Sequence, residues 1–213
     1  AGVYALGIHD LIHVRMVQSA IDALAIFPLY YVLVRLSKSS TLALVGCLTY
    51  ATAPWWSVGS TYLLAESLLP ALFIALLAAM VWIRDRSDRI FAWFLLGLFA
   101  SILPFFRTEM ILLVFFLGVW ALLTTARRDR VRAAIAVSIG FILPLALWAA
   151  RNEIVHRQFM LTPPVKWYVA WSGLGHVDNP YGYEANDERA TSILQSKGLH
   201  YHSREAEEYW RGE

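Results

Sequence analysis

Cysteine occurs once in this chain of 213 residues, at Cys47 in an apolar stretch. No internal disulfide and no cysteine-built metal centre can therefore form, and the redox compartment is left unreadable. Charge is scarce as well, at 16% of residues against about 25% in ordinary soluble domains. A phosphate-binding Walker loop, a glycine-rich dinucleotide turn, an HExxH pair and a nucleophile elbow are all missing from the sequence, which argues against soluble-nucleotide chemistry. It also lacks internal repeats and low-complexity tracts, and no basic segment that would open a signal peptide precedes the first apolar run. Because it starts at Ala1 without methionine and stops at Arg211-Gly212-Glu213 inside an amphipathic pattern, we expect a fragment of a longer protein, cut at both ends.

What the chain has in abundance is apolar surface: 58% of residues are hydrophobic and the mean hydropathy is +0.52. That is more than a soluble domain of this length needs, and it predicts an all-α integral membrane protein. Crossing roughly 30 Å of hydrocarbon takes about 17 to 25 mostly apolar residues. Six stretches qualify, at about 14–36, 41–57, 61–83, 90–105, 107–126 and 132–150. Arg35 and Lys38 follow the first, Arg84, Arg86 and Arg89 the third, and Arg127, Arg128, Arg130 and Arg132 the fifth. The positive-inside rule makes these three turns cytoplasmic. Alternation then sends residues 1–13, the Pro54–Tyr62 and Phe105–Glu109 turns and everything from Arg151 to the outer face. Tryptophans follow the same scheme, with Trp55, Trp56 and Trp148 near outer ends and Trp82, Trp93 and Trp120 near inner ends, as an interfacial belt requires.

Two regions follow: a multispan region at 1–150 and the start of a small extracytoplasmic segment at 151–213. In the latter, Pro163-Pro164, Gly173, Gly175 and Asn179-Pro180 are turn punctuation around a short strand at Lys166–Trp171. A helix is predicted from about Asp187, a break at Gly198 and a second helix from about Ser203. A segment this small buries little alone and is expected to pack on the outer ends of the spans.

The residues able to do chemistry gather on the outer side. Glu66, about one turn inside the third span, costs roughly 2.5 to 3.5 kcal/mol if it is deep in lipid. It fits a carboxylate lining an outward cavity, as metal ligand, hydroxyl acceptor or helper base, with a helix-end glutamate that reaches the headgroups or pairs with Arg107 as the plainer reading. Arg107 and Glu109 lie beside Pro104 in a short turn, where a guanidinium can fork onto a phosphate or form a structural ion pair. Arg151-Asn152, just after Trp148, offers a second phosphate- or sugar-binding group, or an interfacial anchor. Arg15 and Tyr62 complete the candidate substrate-binding set, and Glu66 and Arg107 are expected to face one cavity. Asp22 reads as structural. His9, Asp10 and His13 have helical ligand spacing but no third histidine placed to complete a site.

The order of short motifs resembles the GT-C membrane glycosyltransferases, in particular the protein mannosyltransferase and aminoarabinose transferase branch. The stretches that carry it are Gly7-Ile-His-Asp-Leu-Ile-His-Val-Arg15, Ala53-Pro54 with Tyr62-Leu-Leu-Ala-Glu66, Pro104-Phe-Phe-Arg107-Thr-Glu109 and Trp148-Ala-Ala-Arg151-Asn152. The resemblance implies a GT-C-like helical bundle in a bacterial plasma membrane and a polyprenyl-phosphate sugar as donor. It also implies a lipid, glycan or protein acceptor outside the cytoplasm, inversion at the anomeric carbon, a divalent metal as a candidate helper and no nucleic-acid partner. Its catalytic aspartate would lie in a first outer loop upstream of Ala1. Thr108 stands where the family commonly has proline after the arginine. A transporter or flippase core is the rival class, but a transporter gathers its binding groups near the midplane rather than at one face.

Overall fold

The computed structural model describes residues 11–53, 68–84, 89–156, 187–200 and 204–212, and every regular element among them is helical. The chain divides into two compact units, Ala1–Leu147 and Trp148–Glu213. In the first lie α1 (Leu11–Leu24), α2 (Ile26–Ser37), α3 (Ser40–Thr52), α4 (Leu69–Arg84), α5 (Ile90–Ala100) and α6 (Leu113–Thr124). A long α7 (Arg130–His156) runs through the division, and α8 (Asp187–Ser196) and α9 (Arg204–Gly212) belong to the second unit.

Local chemistry accounts for the breaks. Pro28 has no N–H to give the Leu24 carbonyl, so α1 and α2 are separated by a single turn residue, Ala25, across which Leu29 N still donates to Ala25 O at 3.0 Å. Lys38 ends α2 in the left-handed region (φ 56°), donating to Val34 O. Ser39 then caps α3 by accepting from Leu42 N at 3.3 Å. So short a turn folds α3 back along α2. The Asp22 carboxylate accepts a 2.8 Å hydrogen bond from the Tyr50 hydroxyl and thereby joins α1 to α3, the structural role expected of it.

Pro104 likewise cannot serve the Ala100 carbonyl. The fourth apolar stretch accordingly leaves α-helical geometry at Ala100, passes through a 3-10 turn at Leu103–Phe105 and reaches a second one at Thr108–Leu112. This differs from the sequence reading, which ran a span from 107: α-helix begins only at Leu113. Among the described residues, two helical runs are long and apolar enough to cross a membrane, Ile12–Ser37 and Arg130–Val155. The other apolar helices are shorter, because prolines interrupt them or because their neighbours lie outside the described residues.

Large apolar side chains lie both inside and outside the described helices, with Trp93, Phe141, Leu76 and Leu117 fully buried. Ala25, Ala43, Ala71, Ala100, Ala121 and Ala133 are buried, whereas Phe27, Leu48, Phe91, Phe115, Leu123 and Ile135 are exposed. Small residues inside let helix backbones approach closely. The clearest case joins α5 to α7. A Cβ on Gly97 would lie 2.0 Å from Val137 O, and one on Gly140 would lie 2.1 Å from Phe94 O. Each glycine is needed because the other helix's main chain occupies the space a methyl would take. Below this crossing, Ile90, Phe91 and Phe94 share a groove with Arg132, Ile135 and Ile139, so the two helices run parallel. Their basic starting ends, Arg89 and Arg130–Arg132, therefore lie at the same end of the bundle.

Trp93 departs from its expected place in an interfacial belt. It is wholly buried, its ring 5.0 Å from that of Trp120, and it packs α5 against α6. Position along a span gives depth in a membrane but not which way a ring points. Trp82 and Trp148 are exposed, as a belt requires, and Trp55 and Trp56 lie outside the described residues.

In the second unit, the break foreseen at Gly198 is present. Gly198 has φ +69°, Leu199 N donates back to Leu194 O at 2.9 Å, and the helix is closed by the left-handed residue that glycine adopts most readily. Beyond it α9 lays Ala206 and Trp210 against Ala190 and Leu194 of α8. The strand expected at Lys166–Trp171 lies outside the described residues.

Candidate functional site

Arg107 is set by the geometry of the proline turn. Its backbone is extended (φ −149°, ψ 118°) between the two 3-10 segments, with its N–H on Leu103 O at 3.1 Å and its carbonyl accepting from Met110 N at 3.0 Å. Both ends of the residue are therefore held by backbone. The side chain reaches outward, 51% exposed, with Nε 3.4 Å from Oε2 of Glu109, itself 68% exposed. Exposed pairs of this kind contribute about 0 to 1 kcal/mol. The planar guanidinium fork suits the oxygens of a phosphate as well as those of a carboxylate. Exposed Phe105 and Leu112 flank the pair, so it stands on an apolar rim.

Arg151 and Asn152 form a second pair, at the start of the second unit. The Arg151 guanidinium lies 5.1 Å from the centroid of the Trp148 ring and donates through Nη1 to Asn152 Oδ1 at 3.1 Å. Asn152 is buried. Stacking on an aromatic face and a fixed amide orient the guanidinium plane, which suits either an interfacial anchor or a flat oxyanion partner. No family model matches the chain. The curated proteins and solved structures compared with it give no match either.

Arg15 is exposed on α1 among exposed Ile12 and Met16, and neither the Arg107 pair nor the Arg151 pair includes it. Glu66 and Tyr62, and with them the expectation of a cavity shared by Glu66 and Arg107, lie outside the described residues, as do His9 and Asp10. Among the described residues no group of three or more histidines, cysteines or acids is assembled. That does not bear on a metal held partly by Glu66. What the sequence reading missed is the parallel α5–α7 pair and the two grooves beside it. The signal for the crossing was present in the glycines Gly97 and Gly140, each within a mostly apolar helix.

Proposed function

We propose that this chain is the multispan part of a membrane glycosyltransferase that moves a sugar from a polyprenyl-phosphate donor to an extracytoplasmic hydroxyl with inversion. The membrane part of the reading is supported by two helical runs of spanning length and by the many large apolar side chains that are exposed on the described helices. Soluble proteins rarely expose contiguous apolar patches beyond a few hundred Å². In the full proposal all six apolar stretches are embedded, and the parallel α5–α7 pair agrees with an alternation that keeps the basic turns cytoplasmic.

The observation that carries the chemistry is the Arg107 turn. A backbone-held, outward guanidinium stands on an apolar rim at the end of the bundle away from the basic turns, where a lipid phosphate would sit. In the proposed displacement the acceptor hydroxyl loses its proton to a carboxylate as its oxygen attacks the anomeric carbon. The bond to the lipid phosphate breaks, and Arg107 stabilises the charge that develops on the leaving phosphate oxygens. Glu66 is proposed as helper carboxylate or partial metal ligand, and Arg151 with Asn152 as contacts to phosphate or sugar. The donor class, the inversion and the acceptor side come from the resemblance, not from geometry.

Turnover of the purified full-length protein tests the arginine. Arg107→Ala should lose at least about 100-fold in kcat, the scale seen when one transition-state donor is removed. Arg107→Lys should recover only part, because a point charge replaces a fork. Wild-type turnover in a well-folded Arg107→Ala would remove the proposed role.

A further inference from the structure

The basic end of the bundle carries a feature that sugar transfer at the opposite end does not use. Two apolar grooves flank α5. One, about 340 Å³, lies against α4 and is lined by Ala79, Trp82, Ala92, Leu95 and Phe99, with Arg89 at its end. The other, about 490 Å³, lies against α7 and is lined by Phe94, Ile135, Ala136 and Ile139, with Arg132 at its end. Phe91 is common to both linings and is itself exposed, so it forms the ridge between them. The second groove has a structural cause. The glycine crossing at Gly97 and Gly140 pins the parallel helices together, and the groove lies on the N-terminal side of that crossing.

Two shallow apolar grooves side by side, each with an arginine in its lining from the same end of the bundle, have the chemistry of a two-chained anionic lipid. We propose that a diacyl phospholipid with a net negative headgroup binds astride Phe91, one acyl chain in each groove and its phosphate between Arg89 and Arg132. The charge complementarity favours this occupant over a neutral one. Arg89 is exposed, and Arg132, 70% exposed, holds Asp129 only loosely, at 3.6 Å. Such a pair is readily exchanged for phosphate. Anionic lipids concentrate on the cytoplasmic leaflet, and basic groups near that surface attract them. The site rests on the membrane reading above and on the cytoplasmic assignment of the basic turns, but not on the sugar chemistry. It is distinct from the proposed donor site because it lies at the other end of α5 from the Arg107 turn.

The test uses full-length protein extracted in mild detergent and titrated with phosphatidylglycerol or phosphatidylcholine, with bound lipid counted by native mass spectrometry. Wild type should retain phosphatidylglycerol at least about tenfold better, and Arg89→Gln with Arg132→Gln should reduce that preference to within about twofold, given the combined effect of two surface arginines on an anionic lipid. Arg127→Gln with Arg128→Gln removes equal charge from exposed positions outside the grooves and should leave the preference intact. Ala92→Phe with Ala136→Phe fills both grooves and should lower retention of either lipid. Equal retention of the two lipids by wild type would overturn the proposal. So would an unchanged preference in the Arg89/Arg132 variant, or an equal loss in the Arg127/Arg128 variant, which would show diffuse attraction rather than a site. Sugar transfer measured on the same preparations reports separately on the enzymatic reading, and lipid retention without transfer would leave the groove proposal standing.

Discussion

Gly97→Ala should destabilise the protein although alanine is the better helix former, and the size of the effect follows from the α5–α7 crossing. The added methyl would sit 2.0 Å from Val137 O, 2.9 Å from the carbonyl carbon of that residue and 2.8 Å from Phe141 N. Comfortable contact begins at about 3.5 Å. All three obstacles are main chain within a helix, so no side-chain rotation relieves them, and the helices must separate by roughly 1.5 Å where they cross. Overpacking of this kind costs about 1 to 3 kcal/mol. Removing a glycine from a helix interior returns about 0.5 to 1 kcal/mol. Because the steric term meets backbone, its upper half applies, and the net loss should be about 1 to 2 kcal/mol. Gly140→Ala meets Phe94 O at 2.1 Å and Leu98 N at 3.0 Å and should behave alike. The double variant should cost less than the sum, since either methyl already opens the crossing. Gly118 is the control: its added methyl would lie 3.7 Å from Ser138 Oγ, an ordinary contact, so Gly118→Ala should be neutral or stabilising. Reversible unfolding of the purified protein in mixed detergent micelles measures all four. Gly97→Ala as stable as Gly118→Ala would refute the close crossing.

Two other outcomes are expected. Tyr50→Phe and Asp22→Asn, combined in a double-mutant cycle in the same unfolding assay, should show a coupling of about 1.5 kcal/mol for a charge-assisted bond; additive losses would mean that the two side chains do not interact. On a Cys47→Ala background, Ser172→Cys should react with an impermeant maleimide on intact cells while Ser87→Cys reacts only after lysis, and the reverse pattern would contradict the proposed sidedness.

Much of the fold was legible because apolar runs, basic turns and prolines act locally. Pro104 and Gly198 break helices where the sequence reading put turns, and the helix starts at Ser40, Ile90 and Arg130 fall within two residues of the apolar segments read there. The facing of those helices was not legible. Around α5 nearly every residue is apolar, so periodicity carries no direction. Trp93 was misassigned for that reason. The partner of Asp22 is 28 positions away and has no local signature. The site was legible only in part. Arg107 and Glu109 are brought together as two residues of one turn, whereas Glu66 and Tyr62 lie outside the described residues.

The most direct measurement is the identity of the donor. Purified full-length protein, supplied with a hydroxyl-bearing acceptor fraction from membranes, would be offered the same radiolabelled sugars either on polyprenyl phosphate or on a nucleotide. Transfer from the polyprenyl-phosphate sugar alone, with the anomeric configuration inverted in the product, is the expected result. Transfer that requires the nucleotide sugar, or none from any lipid-linked donor by protein that melts cooperatively, would contradict the proposed function.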